Sequence, residues 1–185
     1  MTEENMLFSC PQDLDFSNSD LGAYIASGLN LETKEVLLTR VVDVPAGTGI
    51  YLYGTPGQTY KIPYAESHSV YMNFFKANLT TSTIPATENG YTNYVLETRD
   101  GERVFWPVSG STTCAAQTAY LQVPTKFSES GVKLNILFEE DLIDGLDGFI
   151  MAGQDNEAIY DIAGRRLGKP QKGINIINGK KVLVK

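Results

Sequence analysis

Several chemistries are short of parts in this chain. It holds one histidine, His68, and two cysteines, Cys10 and Cys114, in 185 residues. A protein zinc site draws on three or four His, Cys or carboxylate ligands, and so few nitrogen and sulfur donors leave one undersupplied. Positive charge is also scarce: 15 Lys and Arg against 22 Asp and Glu, a net charge of −7. Binding to a nucleic-acid backbone or to an anionic membrane surface needs a basic face, so neither partner is expected. No apolar run approaches the ~20 residues that cross a bilayer, so direct membrane insertion is not expected. The amino end, MTEENMLFSCPQD, has neither the basic nor the apolar region of a signal peptide. The chain is therefore read as cytoplasmic, as a mature form, or as an excised piece. The two thiols could pair, but sequence spacing by itself does not show it.

What is abundant is β-forming sequence. Ten Tyr and eight Phe join many Val, Ile and Thr, and 17 Gly and 8 Pro cut the chain into short pieces. Strands are predicted at 22–28, 34–44, 49–54, 59–64, 118–124 and 132–138. A hairpin is predicted over 92–108, with Asp100-Gly101 at its turn. In GIYLYG, Ile50 and Leu52 share one face, and Tyr51 and Tyr53 the other. Residues 67–79 fit a helix and a strand about equally, since Val70, Phe74 and Ala77 are helically spaced within a Phe- and Thr-rich stretch.

A weak internal repeat has a period of about 70 residues. Tyr24-Ile25 aligns with Tyr94-Val95, and Val36-Leu37-Leu38 with Val104-Phe105-Trp106. VPAGTGIYL (44–52) aligns with TCAAQTAYL (113–121), matching Ala46 with Ala115, Tyr51 with Tyr120 and Leu52 with Leu121. Two such units can bury their apolar faces against each other. The expected fold is therefore all-β: an antiparallel β-sandwich over 13–138 with pseudo-repeat character. An acid- and glycine-rich stretch, 139–157, reads as a linker. Beyond it the charge reverses, with Arg165, Arg166, Lys169, Lys172, Lys180, Lys181 and Lys185 and no acid from 164 onward. Residues 158–185 are expected to form a small β-hairpin appendage, with Asn178-Gly179 as its type I′ turn.

The candidate chemistry is thin. Gly47-Thr48-Gly49 precedes a strand pattern, so no helix N-terminus follows to hold a phosphate, and the glycines read as a tight turn. His68 lies beside Glu66, Ser67 and Ser69, but adjacent side chains do not converge as a catalytic triad must. Asp141, Asp144, Asp147 and Asp155 miss the EF-hand spacing and read as solvated acids. No catalytic, cofactor or metal residue is assigned. The aromatics Tyr51, Tyr53, Tyr60, Tyr64, Tyr71, Tyr91 and Trp106 carry the binding candidates. Among them Tyr51, Tyr53 and Trp106 are the candidate ligand contacts, able to stack on a sugar ring or anchor a protein. With Ile50 and Leu52 in the core, Tyr51 and Tyr53 fall on the surface or under another layer.

LDFS, AYIAS, VPAGTGIYLYG, YKIP, NYVLETRDG, FWPVSG and AAQTAYLQVP, read in order, resemble a module of secreted and cell-surface proteins of the Bacteroidetes. AIYDIAGRRLGKPQKGINIINGKKVLVK is similar to the type A sorting domain of the type IX secretion system. The resemblance implies an extracytoplasmic, non-enzymatic structural or adhesion module with no cofactor. Its partner would be a surface glycan or a protein, with the secretion machinery engaged through 158–185. A carbohydrate-binding module using surface tyrosines is the alternative.

Overall fold

A computed structural model describes residues 4–129, 131–142, 145–146, 148–153, 159–161, 166–167, 171–177 and 180–184. Two compact units divide the chain, Met1–Ala152 and Gly153–Lys185. The first is an all-β sandwich, as the strand patterning implied, and it is built as two turns of one design.

The first turn comprises β1 (Asn5–Phe8), β2 (Leu14–Asp15), β3 (Gly22–Asn30), β4 (Glu35–Val41), β5 (Asp43–Val44) and β6 (Ile50–Tyr53). The second comprises β7 (Phe75–Asn78), β8 (Ser82–Pro85), β9 (Thr87–Glu88), β10 (Tyr91–Arg99), β11 (Glu102–Pro107), β12 (Ser111–Cys114) and β13 (Thr118–Pro124). The first sheet runs β1-β6-β3-β4 and the second β7-β13-β10-β11, which is the same order strand for strand. Each sheet carries a two-stranded ladder, β2-β5 in the first turn and β8-β12 in the second. The strand β9 is an addition of the second turn, paired to β10.

The repeat is therefore topological, but its register differs by one residue from the sequence alignment. Tyr24 pairs with Tyr51, whereas Tyr94 pairs with Leu121. Tyr51 and Leu121 both belong to the core between the sheets. Ile50 lies in the core on the outer face of the first sheet, and Tyr120 in that of the second. Side chains alternate across a strand, so matching Tyr51 with Tyr120 would put equivalent residues on opposite faces. The turns agree with the structural register: Gly47 has φ +72° and Gln117 has φ +58°.

Both sheets are covered on both faces, which explains why all nine residues of β3 are buried. Tyr24, Ala26, Tyr51, Phe75, Phe105 and Leu121 meet in the central core. Phe75 and Phe105 rings stand 5.7 Å apart across it. At the far end of the hairpin β10–β11, Asp100 (φ +53°) and Gly101 (φ +83°) form the anticipated turn. Positive φ at both central residues is what a type I′ turn requires.

After β13 the chain crosses between the sheets. Leu134 and Phe105 exchange two backbone hydrogen bonds of 2.9 Å, and β14 (Asn135–Phe138) then pairs with β4. That pairing is parallel, so the sandwich is not antiparallel throughout. Nor is 139–157 a linker along its length. Glu139–Asp141 is a 3-10 turn, and β15 (Phe149–Met151) pairs antiparallel with Gly28–Asn30 of β3. The cause is geometric: β6 pairs only with Gly22–Tyr24, leaving the other end of β3 open. Gly28 helps, since a Cβ there would stand 3.2 Å from Met151 Sδ and 3.3 Å from Phe149 Cδ1.

Residues 59–64 are extended but form no strand beyond one bridge from Tyr64 to Leu14. Neither helix nor a full strand forms over 67–79; β7 occupies only its last part. Asp144, Asp147, Asp155 and the turn Asn178-Gly179 lie outside the described residues.

The second unit is a four-stranded antiparallel sheet, larger than one hairpin. It contains β16 (Ile159–Asp161), β17 (Arg166–Leu167), β18 (Gly173–Ile177) and β19 (Lys180–Val184), in the order β17-β16-β18-β19. Asn175 is buried and its side-chain oxygen accepts from the Gln171 N–H at 3.0 Å.

Candidate functional site

The three aromatics singled out as ligand contacts do not form one surface. Tyr51 is only 2% exposed. The second sheet covers its face of β6, and its ring meets Phe138 and Tyr24 edge-on at 6.1 and 6.5 Å. This corrects the assignment of Tyr51 as a ligand contact. Desolvation pushes its hydroxyl pKa far above the ordinary tyrosine value. Tyr53, one pleat further from the core, is 41% exposed. Its hydroxyl donates to Glu4 Oε1 at 2.9 Å, which raises its pKa, and its ring leans on Phe138 at 5.5 Å. Trp106 is half-buried on β11, and the Arg99 guanidinium lies 3.8 Å from its ring centroid. Arg99 is held there by Glu97, with Nε donating to Oε2 at 2.8 Å. One face of the indole is thus already occupied by a cation.

The remaining candidates are dispersed. The His68 side chain is 86% exposed and stands 3.7 Å from Glu66. Cys10 and Cys114 are free thiols. Cys114 is buried on the outer face of the second sheet, with Sγ 3.0 Å from Thr118 Oγ1. Cys10 is half-buried against the outer core of the first sheet. Among the described residues, no group of three or more His, Cys, Asp or Glu is placed to hold a metal ion. Among the same residues, no helix is long and apolar enough to cross a membrane.

What the structure does assemble is a cavity of about 340 Å³ on the outer face of the first sheet. Its floor is apolar and buried: Leu14, Phe16, Leu21 and Leu52. One wall is the stretch Tyr60–Tyr64. Extended backbone turns alternate residues the same way, so Tyr60, Ile62 and Tyr64 line the cavity while Lys61 and Pro63 are exposed. The opposite rim comes from Phe8, Cys10 and Gln117. Gln117 belongs to the second turn of the repeat and is tied to the first by the Ser9 N–H, which donates to its carbonyl at 3.1 Å.

The connection from β6 to β7 that builds this wall is long and irregular, yet it is fastened at many points. The Thr55 N–H donates to the Tyr60 hydroxyl at 2.8 Å, and the Asp15 N–H to the Pro63 carbonyl at 3.0 Å. Asp13 is the main clamp. Its carboxylate accepts from the Ser67 N–H at 2.9 Å and the Ala46 N–H at 2.6 Å, and these bonds hold its pKa below the ordinary carboxylate value. Further on, the Tyr71 hydroxyl donates to the Asp43 carbonyl at 2.8 Å, and the Ser69 hydroxyl to Asp43 Oδ2 at 2.6 Å. These inward groups alternate with exposed ones, so Val70 (86% exposed) and Met72 (62%) stand on the outside.

The alternation of TYKIPY was visible in the sequence, and it belongs to the wall of a cavity instead of a strand. Phe8, Leu14 and Gln117 carried no such signal, because each reaches the cavity from a different element: β1, β2 and the turn before β13. No protein-family model, curated protein or solved structure matches this chain.

Proposed function

We propose that this is a non-enzymatic module of an extracytoplasmic protein, with a structural or adhesive role at the cell surface and a protein partner. The observation that carries this reading is the outward strip of the β6–β7 connection. Val70 is 86% exposed and Met72 62%, on a segment anchored from beneath by Asp13 and Asp43. Apolar side chains displayed on a fixed backbone suit contact with a second protein surface. The basic tail, 158–185, is read as a sorting segment for export.

The test is made in cells carrying the native gene. Antibody to the sandwich should label intact cells, and removal of residues 158–185 should abolish surface labelling while the module still accumulates. Wild-type labelling only after lysis would overturn the surface reading. Val70→Ser with Met72→Ser should then weaken attachment of surface-displayed protein without lowering its thermal stability.

One observation favours a second reading, carbohydrate binding. Tyr53 offers a half-exposed ring beside Glu4, and the pairing of an aromatic face with a carboxylate suits a sugar's apolar face and hydroxyls. Tyr51 is no longer available for it. A glycan array on which Tyr53→Ala changes no signal would remove this alternative.

A further inference from the structure

We infer that the cavity on the outer face of the first sheet is a binding site for a small, uncharged, largely apolar molecule: a ring system or short hydrocarbon chain with one or two hydrogen-bonding groups. The inference does not depend on where the protein resides.

Size comes first. At about 340 Å³ the cavity falls at the lower end of the roughly 300–1,000 Å³ range of ligand pockets. It admits a small molecule and is too small to enclose a polymer. Polarity comes next. Leu14, Phe16, Leu21 and Leu52 form the floor, and no charged side chain lines the space. An ionised ligand would lose its hydration there without gaining a partner. Hydrogen-bonding groups stand at the mouth instead, where Tyr64 and Gln117 are exposed. An apolar body would go in first, with a polar end left at the rim.

Three further features separate this site from a packing defect. The wall is preformed by the bonds to Asp13, Asp15 and Tyr60, so little ordering would be needed on binding. Long connections without secondary structure are uncommon in compact domains and tend to be functional. The third feature is seen by comparing the two turns of the repeat. The outer ladder has four residues per strand in the second turn, β8-β12, and only two in the first, β2-β5. The shorter ladder leaves part of the sheet face to the connection, and the cavity lies there. At the rim, Gln117 keeps a side chain at φ +58°, where the equivalent turn of the first repeat uses Gly47. A side chain held in the left-handed region at the mouth of a cavity fits a binding role.

The test uses the full chain and two fluorescent probes, neutral N-phenylnaphthylamine and anionic anilinonaphthalene sulfonate. The neutral probe should bind saturably at one site, and the anionic one at least about tenfold more weakly. Cys10 is half-buried at the rim and Cys114 is buried in another core, so N-ethylmaleimide should modify Cys10 first in the folded protein. That modification should abolish neutral-probe binding. Cys10→Ser removes the thiol that N-ethylmaleimide attacks, so the affinity of that variant for the neutral probe should be the same before and after the treatment. The proposal is overturned if the folded protein binds no neutral probe, if both probes bind equally, or if binding survives modification of Cys10. It is also overturned if Val70→Ser with Met72→Ser abolishes binding, since that would place the probe on the exposed strip.

Discussion

Gly49 and Ala119 hold equivalent positions in the two turns of the repeat, and they meet inside the sandwich. A Cβ built on Gly49 would stand 3.0 Å from Ala119 Cβ, 3.0 Å from Phe75 Cβ and 3.2 Å from the Ala77 nitrogen. The two turns are thus packed so closely that a second Cβ at this point would push its neighbours back by a few tenths of an ångström. Gly49→Ala should cost about 1–3 kcal/mol by overpacking. Adding Ala119→Gly should recover part of the loss, because the Phe75 and Ala77 contacts remain. Thermal unfolding of the two single variants and the double variant measures this coupling.

The paired turns give a second expectation. Nothing lies within 4 Å of a Cβ on Gly47, so Gly47→Ala meets no steric obstacle and tests the backbone alone. At φ +72° it should lose about 1–2 kcal/mol. Gln117→Gly should do the reverse. Relief of the left-handed strain, offset by glycine's greater unfolded-state entropy, leaves a gain of up to about 1 kcal/mol. Denaturant midpoints would check both.

Acid should loosen the cavity wall before it unfolds the sandwich. The folded-state pKa of Asp13 is lowered, first by the Ser67 N–H and then by the Ala46 N–H. Its contribution is therefore present above the ordinary carboxylate range and is lost as pH falls through the lowered folded value. Amide exchange at Ala46 and Ser67 should quicken over that interval, relative to the Tyr24 and Phe105 amides. In Asp13→Asn both amides should exchange faster already at neutral pH.

Alkali acts through the core tyrosines. Burial raises the Tyr51, Tyr94 and Tyr24 pKa values, with Glu140 adding to the effect at Tyr24. Stability from these groups is complete below the ordinary tyrosine value of about 10 and falls as pH rises beyond it, because the unfolded chain ionises first. Tyrosinate absorbance should show a late component, from Tyr51, Tyr94 and Tyr24, that appears together with loss of the folded circular dichroism signal.

Trp106 is the one tryptophan, so its fluorescence reports on Arg99 directly. Arg99→Ala should uncover the ring, shift emission to the red and cost about 0.5–1 kcal/mol. Glu97→Gln should have a smaller effect of the same sign, since Glu97 only holds the guanidinium in place. An unshifted emission maximum in Arg99→Ala would mean that the stacking does not persist in solution.

Local chemistry by itself determined the class of fold and most of its pieces. Short β-branched and aromatic runs broken by glycine and proline make strands. Asp100-Gly101 makes its turn because those two residues tolerate positive φ. The about 70-residue periodicity announced a unit used twice. Tertiary structure decided which face each residue serves. Tyr51 and Tyr53 share a strand face, yet one lies beneath the second sheet and the other at its margin, and no strand pattern distinguishes them. The alignment of Tyr51 with Tyr120 failed by one residue because letters were matched without knowing the faces, and a one-residue slip reverses every side chain. The strand β15 was hidden in an acid-rich stretch, since what makes it a strand is the open edge of β3. The cavity depends most on the fold: its floor and wall come from separate segments of the first turn and its outgoing connection, and Gln117 joins the rim only when the two turns pack, so sequence-local signals could not place them together.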